Sequence, residues 1–148
     1  MSDDLFASSE ICQAVLMDYY RHPRCAGVCD PRTHGAEADN PACGDIVRFS
    51  FQVTGGIIAQ ARTTGAGCAV SQAAASLLAE RLDGKPLAGA AAVFEELEKL
   101  LAGQAADAAL LGNLAALRMI TANPARVRCA RTALKAARTA LPPAAECP

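Results

Sequence analysis

Three cysteines and one aspartate stand where thiolates and metal ligands form. Cys43 lies in Asn40-Pro41-Ala42-Cys43-Gly44-Asp45. Gly44 opens a backbone conformation closed to other residues, so the Cys43 thiol and the Asp45 carboxylate can turn toward one point. Cys68 follows Gly65-Ala66-Gly67 at an expected helix start. Free N–H groups and the helix dipole favour an anion there, which should lower the thiol pKa, and the glycines keep the approach to sulfur open. Cys129 falls in the first two turns of the last expected helix, flanked by Arg126 and Arg128, whose charge favours a thiolate. Each also fits a plainer role: a polar turn that contains a cysteine, a residue capping a helix, and a half-buried small residue. Taken together, three thiols and a carboxylate suit a tetrahedral zinc or the irons of a small cluster. Arg128 is no ligand, because its guanidinium stays protonated, and Asp45 is the natural fourth donor. Spacing this wide does not prove convergence; the fold has to supply it.

The elements that must do so are legible in outline. From Ser9, Ile11, Val15, Leu16 and Tyr19 recur at helical spacing up to Pro23. Residues 23–42 read as loop, with a short strand near Gly35–Ala38. Val47, Phe49, Phe51 and Val53 alternate with polar residues over Ile46–Val53, Thr54-Gly55-Gly56 marks a turn, and Ile57–Thr64 returns antiparallel. A helix is expected from Cys68 to Asp83 (Val70, Ala74, Leu77, Leu78), with Gly84 just past its end. Two more are expected over Leu87–Leu101 and Ala108–Met119. The last opens on an Asn123 cap with Pro124 in its first turn, and Val127, Ala130, Leu134, Ala137 and Leu141 form its apolar stripe. The expected fold is a single α+β domain over 1–148, a small antiparallel sheet of about three strands packed on helices, with 1–8 and 142–148 disordered.

Totals narrow the chemistry. Fourteen basic and 15 acidic residues leave a net charge of −1, which gives no electrostatic reason to expect nucleic acid or an acidic membrane surface. No apolar run reaches the length of a membrane span, and the acidic start MSDDLFASSE resembles neither a secretory signal nor a transit peptide, so a cytoplasmic protein is expected. Seven cysteines, an odd and irregularly spaced set, argue against a disulfide framework. His22, Cys25, Cys29 and His34 can be drawn as a second zinc site, but their order is unlike common fingers and accident is the better reading. Cys12 falls on the apolar side of the first helix, and Cys147 reads as an incidental thiol in the tail. Arg128, Arg131, Lys135 and Arg138 form a basic stripe, read first as a solvated face. No Ser-His-Asp, phosphate-loop or dinucleotide motif appears.

On these motifs the chain resembles the NifU/IscU-type family of iron–sulfur cluster assembly proteins. The resemblance runs from Tyr19-Tyr20-Arg21-His22-Pro23-Arg24 to about Leu141, and rests on Asn40–Asp45, on Gly67-Cys68-Ala69-Val70-Ser71 with Ser76, and on Pro124–Cys129. It implies that Cys43, Asp45, Cys68 and Cys129 meet at one exposed end as metal ligands, supported by Gly44, Gly67, Arg126 and Arg128. Within the family the chain is most similar to the SufU branch. The scaffold branch has a histidine where Arg128 stands, and the stretch between Gly84-Lys85 and Cys129 is longer by roughly one helix. SufU-like proteins resemble zinc-dependent sulfurtransferases that accept persulfide sulfur from a cysteine desulfurase (SufS-like) and pass it on to downstream cluster assembly proteins, acting as accessory proteins rather than stand-alone enzymes. That likeness implies Zn²⁺ as the bound metal and Cys43, on its glycine-flanked loop, as the sulfur acceptor. The scaffold branch implies instead a [2Fe–2S] cluster on the same residues. A zinc-stabilised interaction module without chemistry is the third possibility.

Overall fold

Gly55 and Gly56 both carry positive φ (58° and 76°), the conformation that a two-residue hairpin turn demands. They join β2 (Asp45–Thr54) to β3 (Ile57–Ala66) in the computed structural model, which describes residues 8–141. The pairing is antiparallel from Ile46↔Ala66 to Thr54↔Ile57, with a register shift between Gln52 and Val53. β1 (His34–Asn40) is longer than its expected Gly35–Ala38 and pairs antiparallel with β2 from His34↔Phe51 to Asn40↔Asp45. The sheet order is β1-β2-β3, so β2 is central and residues 41–44 form the turn between the first two strands. This is the expected α+β arrangement of three antiparallel strands on helices.

The alternation of β2 works as its pattern predicts. Val47, Phe49 and Phe51 are buried, and the two phenylalanine rings stack with centroids 5.4 Å apart. Each buried side chain of this size contributes about 1.5–3 kcal/mol. The α-helices of the described residues are α1 (Ser9–Arg21), α2 (Ala69–Leu82), α3 (Leu87–Leu101), α4 (Ala108–Leu111) and α5 (Pro124–Ala140), and of these α2 and α5 pack on the sheet. α5 packs on β1 and β2, and α2 packs on β3 and against both α1 and α5. Tyr19 ties α1 inward: its hydroxyl donates to Glu80 and accepts from Asn113 Nδ2 at 2.8 Å. Among the described residues no helix is long and apolar enough to cross a membrane.

Residues 23–33 form a strap. Gly27 N–H donates to Thr63 O and Thr63 N–H to Cys25 O along the outer edge of β3. The strap then crosses the sheet face opposite the phenylalanines, where Cys29 N–H meets Ser50 Oγ at 2.9 Å. α2 holds its start, since Ser76 Oγ accepts the Arg24 N–H at 2.7 Å.

Two expectations need correction. The segment expected as one helix over Ala108–Met119 breaks after α4, and Gly112–Ile120 continues as a 3₁₀ helix. Gly112 has φ 57°, and the buried residues Leu111, Leu114, Leu117 and Ile120 recur every third position. In a 3₁₀ helix, residues three apart eclipse, so this row meets the core as one line. Ser8, expected to be frayed, caps α1 by accepting the Ile11 N–H on Oγ at 3.4 Å. The rest of the expected disordered ends (1–7 and 142–148, with Cys147) lies outside the described residues.

Candidate metal centre

Asp45 is the fixed point of the site. It opens β2 opposite Asn40, and the pairing of Ile46 with Ala66 sets Gly67 beside it. The side chain is fully buried, and Oδ1 accepts the Cys68 N–H at 2.8 Å. Gly67 has φ 133°, and a Cβ there would fall 2.4 Å from Asp45 Oδ1 and 2.7 Å from its Cα. Only glycine lets the backbone come so close.

Three elements deliver the sulfurs. Cys43 sits exposed on the β1–β2 turn, its N–H on Asn40 O at 3.1 Å, and Gly44 at φ 70° completes the reversal. Cys68 is the N-cap residue of α2, and its Sγ accepts the Ser71 N–H at 3.4 Å. Cys129 lies in the second turn of α5, whose start is fixed by Asn123 Oδ1 on the N–H groups of Ala125 and Arg126 and by Pro124. Its buried Sγ is 3.6 Å from Cys43 Sγ and 3.8 Å from Asn40 Nδ2.

The fold thus gathers Cys43, Asp45 and Cys129, with one ligand atom from each lying within 4.8 Å of the others. Cys68 is not part of that trio, and its sulfur accepts the Ser71 N–H. It is nonetheless next to it. Its backbone holds Asp45, and it lines, with Cys43, Cys129, Met17, Met119 and Arg126, an open cavity of about 520 Å³.

Electrostatics at the site follow from burial and from who donates. Burial pushes the Asp45 carboxyl up, but the Cys68 N–H, the thiols of Cys129 and Cys68 and Ser71 outweigh it, and the net shift is below the ordinary value. The Cys129 thiol goes the other way. Burial lifts it strongly, and its neighbours Asp45, Cys68 and Cys43 add to the rise. The lowering expected from Arg126 and Arg128 is therefore overturned, and helix geometry explains why for Arg128. A residue one position away points to another side, whereas one three positions away shares the face. Arg126 accordingly lines the cysteine cavity, while Arg128 lines a separate groove with Asp39, Asn40, Glu98, Arg131 and Lys135.

The residues present fit a metal. Asp45 Oδ2 is buried and has no hydrogen-bond partner, which is costly in an apolar setting unless a cation or a donor meets it. Soft sulfur donors stand around it. A divalent cation would satisfy that oxygen and favour the thiolate forms.

Other cysteines are spent on structure. Cys12 is in the core as expected. Cys29 is buried, with its Sγ donating to Ser50 O at 3.3 Å. His22 pairs with Asp18 at 3.3 Å and His34 Nδ1 with Thr33 Oγ1 at 2.8 Å. Among the described residues, these do not form a second ligand group. In the basic stripe, Arg131 and Arg138 are both paired with Glu98, while Arg128 and Lys135 are exposed. Asn40 and Ser71 were not among the candidate residues, although both touch the sulfurs. Ser71 was findable as the third residue after an N-cap, the position whose N–H a cap receives.

Known proteins resemble the chain over most of its length. The family model of the NifU-like N-terminal domain matches residues 11–130. The zinc-dependent sulfurtransferase SufU of Bacillus subtilis is 32% identical over 123 residues, 82% of this chain and 83% of that protein. The iron–sulfur cluster assembly scaffold protein IscU of Thermotoga maritima is 34% identical over 126 residues, 85% of this chain and 89% of that protein. The crystal structure of a protein described as a SUF-system cluster assembly scaffold, from Fervidobacterium islandicum, superposes with a TM-score of 0.82 at 28% identity, covering 86% of this chain and 94% of that one. The N-terminal part of a NifU-like protein from Brucella abortus shares the fold at 15% identity, with a TM-score of 0.79 over 90% of this chain and 94% of that one.

Proposed function

Because the chain belongs to the family of NifU-like N-terminal domains, we propose that it serves iron–sulfur cluster assembly by accepting persulfide sulfur from a cysteine desulfurase and passing it on. The observation that carries this reading is the unequal exposure of the site's sulfurs: Cys43 is exposed, Cys68 half-buried and Cys129 buried. A sulfur delivered by another protein must be taken by a thiol that the donor can reach. Cys43 is that thiol, and it rides on a short turn rather than on a helix.

In the transfer, the Cys43 thiolate attacks the outer sulfur of the partner's persulfide. A new S–S bond forms on Cys43, the partner's S–S bond breaks, and the partner leaves as a thiolate. Zn²⁺, held by Cys43, Asp45, Cys68 and Cys129, would supply Lewis acidity that keeps these thiols deprotonated and shielded. Gly44 lets the turn carrying Cys43 move while Gly67 keeps Asp45 and Cys68 in place. In this reading the protein works in the cytoplasm as one domain with a SufS-like desulfurase and downstream cluster assembly proteins. It is an accessory sulfurtransferase.

Mass spectrometry after incubation with a desulfurase and cysteine tests the assignment. In samples quenched early the wild type should carry one extra sulfur on Cys43, and Cys43→Ala should carry none at the site. Undiminished persulfide in Cys43→Ala would exclude this residue. The second reading, a scaffold for a [2Fe–2S] cargo, is favoured by the same donor set, since three sulfurs and a buried carboxylate suit cluster iron as well as zinc. Metal analysis of protein prepared without oxygen separates the two: colourless protein with one zinc supports sulfur transfer, and a cluster chromophore with two irons supports the scaffold.

A further inference from the structure

The second thiol of the site is placed against the first. Cys129 Sγ lies 3.6 Å from Cys43 Sγ, and a carboxylate oxygen of Asp45 lies within 4.8 Å of both. A persulfide on Cys43 offers two sulfurs to an attacking thiol. Attack on the outer one moves that sulfur to the attacker. Attack on the inner one, which is Cys43 Sγ itself, joins the two cysteines and expels the outer sulfur. Cys129 rests against the inner sulfur, and Asn40 Nδ2 at 3.8 Å helps to hold it there.

Resting on the reading of Cys43 as sulfur acceptor, we propose that Cys129 is a resolving thiol, so that this protein converts the Cys43 persulfide to free sulfide within one chain. The step balances without an external reductant. The bond between Cys43 Sγ and the outer sulfur breaks, the bond between the Sγ atoms of Cys43 and Cys129 forms, and one H₂S leaves. In formal count the Cys129 sulfur loses one electron and the outer sulfur gains it. The proton of the Cys129 thiol ends on the departing sulfide. The chain is left with a Cys43–Cys129 disulfide, which a dithiol reductant must reopen before another turnover.

The test uses full-length protein under argon with a chelator present. Cys43 is loaded with inorganic polysulfide, excess reagent is removed by desalting, and samples are quenched over time. Intact mass, peptide mapping and a sulfide assay are read together. In the wild type the persulfide should decay as a Cys43–Cys129 cross-link appears, with one sulfide released per cross-link. In Cys129→Ser the persulfide should persist at least about tenfold longer, because its nearest thiol is gone. Equal decay in that variant, or wild-type maps that join Cys43 to Cys68 or show no cross-link, would overturn the proposal. The wild-type map stands whether or not the variant folds. A parallel loading with a desulfurase and cysteine separates the two ideas. If polysulfide-loaded Cys43 resolves through Cys129 but the desulfurase leaves Cys43 unlabelled, the acceptor reading fails and the resolving pair stands. If the desulfurase labels Cys43 and no cross-link follows, the reverse holds.

Discussion

Two regions of this molecule hold four metal-capable side chains each, and they meet opposite fates. His22, Cys25, Cys29 and His34 lie within a short stretch of chain, yet every one of them has a structural occupation. Cys29 donates to backbone oxygens under the strap, the histidines are bonded to Asp18 and Thr33, and Cys25 takes a left-handed turn at φ 58°. Cys43, Asp45, Cys68 and Cys129 are scattered over more than half the sequence, yet three of them converge and the fourth is their neighbour. Closeness in sequence is therefore a poor guide to a ligand set. The better guide is an atom left without a partner, and Asp45 Oδ2 is one while the strap's polar groups are engaged.

The sharpest way to break this contrast is Gly67→Ala. The new Cβ would collide with Asp45, and the position sits at φ 133°. The variant should lose about 2–5 kcal/mol, from backbone strain plus overpacking. Urea unfolding of metal-free protein measures that loss, and metal content after anaerobic purification should fall with it. A variant with full stability and full metal would show that Asp45 does not depend on this close approach.

Cys29→Ala probes the other region. It removes a buried sulfur and its hydrogen bonds from beneath the strap. The cost should be about 1–2 kcal/mol, the usual range for a small cavity plus a lost buried bond. Metal content should stay unchanged, and so should persulfide loading on Cys43. If the double variant Cys25→Ser/Cys29→Ser lost metal, the strap would be a ligand site after all and the contrast would fall.

How much of this was visible in the chain differs by the kind of interaction. Local patterns sufficed for the β2–β3 hairpin, for Cys68 at a helix start, and for α5 with its Asn123-Pro124 opening, because turns and caps are written in neighbouring residues. The meeting of Cys43 with Cys129 was not, since it depends on α5 packing across β1 and β2, and no local pattern encodes that. The family resemblance supplied it. Over Ala108–Met119, leucines at 110, 114 and 117 fit an α-helix, because spacings of three and four suit one. The row that reaches the core, Leu111, Leu114, Leu117 and Ile120, has spacing three throughout and selects the 3₁₀ form. The expectation that arginine neighbours would depress the Cys129 thiol failed because it counted sequence distance and ignored burial.

The smallest effect compares the thiols by their chemistry. Burial lifts the Cys25 thiol above its ordinary range, Asp83 adds to the rise, and Arg62 opposes it. At pH 8 Cys25 is then mostly protonated, and its alkylation by iodoacetamide should be slow. Because the thiolate is the nucleophile, its rate should climb about tenfold per pH unit and keep climbing past pH 9, where an ordinary thiol begins to level off. Cys43 has no such cover, and in metal-free protein it should be modified at least about tenfold faster than Cys25 at pH 8. Peptide mapping of partly alkylated protein gives both rates from one sample. Added zinc should slow Cys43 and leave Cys25 unchanged, because only Cys43 belongs to the candidate ligand set. If zinc protected Cys25 as strongly, the strap would share the metal, and the division between a region used for packing and a region reserved for chemistry would have to be redrawn.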